Sequence, residues 1–145
     1  MPAKNDIVAY QGNSFILHVH YQDNSGNSIS VPSGTYSANM QVRRSTDASG
    51  ILLNLTSHPY GATQGCTAGI TGGGVGGTSC TGGIVLNTSE GNTGGFTGGI
   101  YIFAGATAMS YVPKGRHLYD LEIAATGETT RLIEGRFECV GEVTR

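Results

Sequence analysis

Three groups of residues in this sequence have types and spacings that could do chemistry. The first is the run "TAGITGGGVGGTSCTGG" at 67–83, where Gly72, Gly74 and Gly77 match a GxGxxG pattern. In a dinucleotide site that pattern leads from a strand into a helix, whose first amides meet the pyrophosphate. Here "TSCTGGIVL" follows, which reads as turn and strand, and there is no GK[ST], so no nucleotide loop is expected. The second is His18-x-His20. Residues two apart on a strand share a face, so both rings could reach one ion. A zinc site takes three or four ligands, however, and no other His or Cys stands at a telling distance. The third is the carboxylate pair Asp120 and Glu122. With Arg131 and Arg136 expected opposite, it reads as a surface ion-pair ladder rather than an acid–base couple.

The remaining reactive residues add no constellation. Cys66, Cys80 and Cys139 form an odd set without CxxC, which is neither a disulfide framework nor a zinc pattern. Cys66 and Cys80 could close the glycine-rich loop, although free thiols are the default in a reducing compartment. His58 and His117 are isolated and expected in loops. There is no GxSxG elbow. The sequons at 54–56 and 87–89 matter only in a secreted chain. No catalytic residue, cofactor site or metal site is expected, and the chain is not read as an enzyme.

The elements that must carry these residues are strands. In "SFILHVHYQD", Phe15, Leu17, Val19 and Tyr21 alternate with Ile16, His18 and His20, the period of a half-buried strand. "DNSGNS" at 23–28 supplies the turn of a hairpin. "TYSANMQVRR" puts Tyr36, Ala38, Met40 and Val42 on one face, and "ILLNL" puts Ile51, Leu53 and Leu55 in phase. Near the C-terminus, Tyr119, Leu121 and Ile123 alternate with Leu118, Asp120 and Glu122. After a turn at 126–128, a partner strand returns with Ile133, Phe137 and Cys139 inward and Glu134, Arg136 and Glu138 outward. "AGATAMSYVPKG" reads as a short helical turn stopped by Pro113 and Gly115. Between the two alternating ends, residues 61–99 hold 15 of the 24 glycines, no Lys or Arg, and one acid, Glu90. Ile70, Val75, "IVL" at 84–86 and Phe96 make this span too apolar for a free linker.

Bulk properties bound the reading further. The 145 residues suit one domain, expected over 1–145, with 61–99 as a glycine-rich insertion. Only 12% of residues are charged, about half the ~25% of an average soluble domain. A formal net charge of −2 argues against non-specific nucleic-acid binding, which needs a basic face. No run reaches the ~20 apolar residues of a membrane span. The N-terminus lacks the apolar core of a secretory signal, so synthesis in a cytoplasm is expected. Several short strands separated by polar turns predict an all-β, immunoglobulin-like antiparallel β-sandwich.

The ends of the chain also resemble a known family. "DIVAYQGNSFILHVHYQDNSGNSISV", "YSANMQVRRS" and "GRHLYDLEIAATGETTRLIEGRFECVGEVTR" are similar to the blocks of small tailed-bacteriophage tail and baseplate structural proteins, akin to the N-terminal β-sandwich module of baseplate upper proteins. The similar blocks span roughly residues 6–56 and 98–145. That family brings no catalytic residues. The resemblance implies a structural protein of the virion, made in the host cytoplasm, with other virion proteins and copies of itself as partners.

The glycine-rich span departs from the family's pattern and is expected to be an adaptable contact. Ile70, Gly73, Val75, Gly77 and Phe96 are its candidate assembly residues. A capsid decoration protein is the alternative with the same fold. A host-surface carbohydrate-binding module is the alternative of a different class, for which Tyr10, Tyr60, Tyr101 and Tyr111 are the available stacking groups.

Overall fold

The computed structural model describes residues 3–32, 35–45, 51–57, 65–68, 78–79, 82–88, 95–125 and 127–141. The protein is all-β, with its described strands in two sheets around a shared core. In chain order the strands are β1 (Ala3–Lys4), β2 (Ile7–Tyr10), β3 (Phe15–His20), β4 (Ser37–Arg43), β5 (Leu53–Thr56), β6 (Gly65–Ala68), β7 (Thr78–Ser79), β8 (Gly82–Thr88), β9 (Gly95–Ala104), β10 (Gly115–Ala125) and β11 (Glu128–Val140). The larger sheet runs β1-β11-β10-β4-β5-β6-β7, with β2 also on β11, and the smaller runs β3-β9-β8.

Alternation builds the wall between the sheets. Ala38, Met40 and Val42 of β4 face inward, as do Leu53 and Leu55 of β5 and Tyr119, Leu121 and Ile123 of β10. Opposite them the smaller sheet contributes Ile84, Ile100 and Ile102, all without solvent exposure. Each such side chain contributes about 1.5–3 kcal/mol by leaving water. Phe137 is the hinge of the packing: its ring meets Phe15 edge-on at 5.4 Å and Tyr119 at 6.4 Å, joining the two sheets. The expected helical turn is α1 (Ala106–Ser110), which buries Ala108 and Met109.

Three local features differ from simple alternation. A bulge at Leu121/Glu122 sets Ile133 opposite Leu121 but Arg131 opposite Glu122, so Leu132 is the extra residue. Without it, Arg131 and Ile133 would share a face; with it, Arg131 turns to the outer, charged side. The turn at 23–28 forms, with the Asp23 carboxylate accepting from the Ser25 and Asn27 amides at 2.8 and 2.9 Å. Those backbone donors, that of Asn27 foremost, hold the Asp23 carboxyl below its ordinary range. Its hairpin stops at the Gln22↔Ser28 bridge, because the chain then crosses to β4 in the other sheet. Finally, β8 lies inside the span expected to be an insertion, yet its Ile84 and Leu86 belong to the core. That part of 61–99 is wall rather than accessory. Within the span, β6 and β7 end the larger sheet, β8 ends the smaller one, and residues 95–99 begin β9, the middle strand of the smaller sheet.

The chain termini close the larger sheet. From Ala3↔Ile133 to Tyr10↔Val140 one parallel register is kept, although the chain kinks at Asn5–Asp6. Gly135 makes the kink fit: a Cβ there would stand 2.3 Å from the Asn5 carbonyl oxygen. Tyr119, opposite Gly135, reaches over it and donates its hydroxyl to that oxygen at 2.5 Å. The Arg136 amide bonds the Asp6 carboxylate at 3.0 Å instead. A side chain thus replaces a rung where the backbone bends away.

Candidate functional site

The outer face of β10 and β11 carries the densest set of charges. Lys4 pairs with Glu134, Glu134 with Arg131 at 3.3 Å, and Arg131 with Asp120 at 3.4 Å. These groups line a shallow concavity of about 900 Å³, along with Asp6, Arg43, Glu122 and Arg136, so four acids face four bases. The Lys4 ammonium first, and Arg131 after it, hold the Glu134 carboxyl below its ordinary range. That keeps it ionised, which suits a fixed ion pair and not a proton donor at neutral pH. Arg131 takes the expected place against Asp120. Arg136 does not: it lies opposite Leu118, two residues further along β10. On the same outer face, the side-chain oxygens of Asn39 and Asn54 are shielded from solvent without a donor among the described residues.

The three described histidines are engaged in structure. His18 Nε2 donates to the Thr88 carbonyl at 3.1 Å, and His20 Nε2 bonds Ser28 Oγ at 2.7 Å. His117 is not in a loop. It is buried on β10, where Nε2 donates to the Pro113 carbonyl at 2.7 Å and Nδ1 has no partner among the described residues. The strand starts at Gly115, itself one of the residues read as a stop, which is why the position misleads. Among the described residues, no three His, Cys, Asp or Glu side chains gather as a metal site. Cys139 is a free, buried thiol whose burial raises its pKa, and it donates to the Val112 carbonyl at 3.7 Å. A buried thiol held in its neutral form is a poor nucleophile.

Of the candidate assembly residues, Ile70, Gly73, Val75 and Gly77 lie outside the described residues, as do His58, Tyr60 and Cys80. Phe96 falls within β9. Among the tyrosines considered for sugar stacking, Tyr101 is buried and stacked on Phe103 at 5.5 Å, whereas Tyr10 and Tyr111 are exposed.

What the sequence reading passes over is the side of the sheet offered by β2. Val8 and Tyr10 are 57% and 55% exposed, on a four-residue strand without charge or proline. The odd-numbered residues of this segment turn their backbone to β11: Asn5 donates to the Glu134 carbonyl at 3.1 Å and Gln11 to that of Val140 at 2.9 Å. The alternate residues Asp6, Val8 and Tyr10 therefore turn their backbone groups outward. The uncharged "IVAY" immediately after Asp6 was the available signal. No protein-family model matches this chain, and no curated protein matches it. Among the described residues, no helix is long and apolar enough to cross a membrane.

Proposed function

We propose that this chain is a non-enzymatic structural protein of a bacteriophage virion, an immunoglobulin-like β-sandwich that builds or connects parts of the tail or baseplate. The observation that carries this reading is where the family-like blocks fall in the fold. Strands β2 to β5 come from the first block and most of β9 with β10 and β11 from the second, and in each sheet they are hydrogen-bonded to one another without interruption. The span that departs from the family adds β6, β7 and β8 only at sheet ends. Strands β6 and β7 can be added at a sheet end without rearranging the core, because each new strand needs one neighbour only, whereas β8 also supplies the core residues Ile84 and Leu86. Glu134 held ionised among fixed partners and Cys139 buried as a neutral thiol also favour a structural role over a catalytic one.

Assembly then proceeds through sheet edges, which present backbone donors and acceptors to whatever strand docks there. The glycine-rich span serves as a second, adaptable contact. Heads and tails separated from purified virions test the proposal. The chain is expected in the tail fraction by mass spectrometry. Its recovery with heads favours a capsid decoration role, and its absence from virions rejects the proposal.

A further inference from the structure

We propose that β2 is a joint between copies of this chain, two β2 edges pairing antiparallel about a two-fold axis at Val8. The inference rests on the assembly reading above and names both its edge and its occupant. Three observations select this edge. First, its outward backbone groups are free: among the described residues, nothing bonds the Val8 amide or carbonyl, the Tyr10 amide or the Asp6 carbonyl. Second, the strand carries none of the devices that keep an edge from pairing, having no Lys, no Pro and no bulge over Ile7–Tyr10. Third, its outward side chains are apolar and more than half exposed. Strand β3, the neighbouring edge, differs on this last point, because its outer residues include His18 and His20, which are already engaged.

The occupant follows from register. Inner faces must meet inner faces, so only registers that pair odd with odd residues keep the sheet continuous. Centring on Ala9 would need the Tyr10 carbonyl, which already accepts the Asn13 amide at 3.1 Å. Centring on Val8 uses the free groups instead. The Val8 amides and carbonyls of the two copies bond each other, and each Tyr10 amide meets the other copy's Asp6 carbonyl. Ile7 then lies beside Ala9 on the inner side, Val8 beside Val8 on the outer side, and no like charges oppose. A strand pair this short buries far less than the ~800 Å² per partner of a stable complex, so the joint closes at high local concentration, as within a particle.

Sedimentation velocity on the full chain at ~10–500 μM, a range suited to so small an interface, tests this. The wild type is expected to dimerise reversibly. Val8→Pro leaves the β11 ladder intact, because the Val8 amide is not used there, and should abolish the dimer. Val8→Lys, a milder change at an exposed site, should weaken it at least ~10-fold while retaining the wild-type melting temperature. Ile16→Lys, on the other sheet, should leave it unchanged. Val8→Cys should cross-link under mild oxidation, since directly opposed, hydrogen-bonded residues stand ~5.5 Å apart at Cα. A monomer throughout, a dimer indifferent to Val8→Lys, or a Val8→Cys chain that stays unlinked overturns the joint. Presence in virions is measured separately. A chain found in tails that fails here keeps its role and loses this joint, and a Val8-dependent dimer absent from virions does the reverse.

Discussion

The N-terminal segment on β11 and the β8–β9 arm both fasten distant parts of the chain, but by different means. On β11 the fastening is a ladder, with one register from Ala3 to Tyr10, joined by the Lys4–Glu134 ion pair and by side chains at the Asn5–Asp6 kink. In the β8–β9 arm one side chain makes several of the ties. Asn87 sits at the register shift between Leu86 and Thr88 with φ 54°, a conformation that asparagine tolerates better than most residues. Its Oδ1 accepts from the Val31 amide at 2.9 Å and the Gly98 amide at 3.1 Å, while Nδ2 donates to Ser30 Oγ at 3.2 Å. One amide side chain therefore ties the crossing segment to the smaller sheet. A ladder distributes its loss over many rungs, whereas a hub concentrates it.

The largest expected effect lies at the hub's neighbour. Gly98 has φ +80°, and a Cβ there would stand 2.7 Å from the Tyr21 carbonyl oxygen and 3.1 Å from that of Ile29. Both obstacles are backbone, and Tyr21 is itself bonded to Gly98, so neither can yield cheaply. Gly98→Ala should destabilise by about 3 kcal/mol or more in urea titration, from strain and clash together. A loss under about 1 kcal/mol would mean that the arm is as forgiving as the terminal ladder.

Asn87 itself comes next. Asn87→Ala removes the acceptor of two amides and a donor, for an expected loss of about 2 kcal/mol. Asn87→Asp keeps both acceptor functions and should retain more than half of that stability. Equal losses for the two variants would show that neither the Oδ1 acceptor nor tolerance of the positive φ, which Asp shares, makes the position matter.

The same contrast governs what could be read from the sequence. Strands β4 and β10 were legible because one face is buried and the other is not, so a period of two survives in the residue types. The Asp120–Arg131 pairing was legible in kind, but Arg131 reaches the outer face only through the bulge, and bulges leave no pattern in a single chain. Lys4–Glu134 and Tyr119–Asn5 join residues more than a hundred positions apart, and local periodicity carries no information on such pairs. Asn87 had a faint signal, a polar residue out of place in "IVLNT". The outward turn of β2 was hidden for a related reason: which edge a strand leaves open depends on its partner, and that partner is the far end of the chain.

The smallest expected effect belongs to the ladder and has a pH signature that the hub lacks. Tyr119 is buried apart from its hydroxyl contact with Asn5, and burial foremost pushes its pKa from the ordinary 10.0 up to about 12. In the unfolded chain the phenol ionises near 10. Below that value both states are neutral and the stabilisation is fully present. Between about pH 10 and 12 the unfolded chain loses its proton while the folded one keeps it, so stability falls across that window. Tyr119→Phe removes both the hydroxyl bond and this titration. It should cost about 1 kcal/mol at pH 7 and flatten the alkaline fall seen in wild-type melting temperature. A variant that still shows the full wild-type fall would place its origin elsewhere than the Tyr119 hydroxyl.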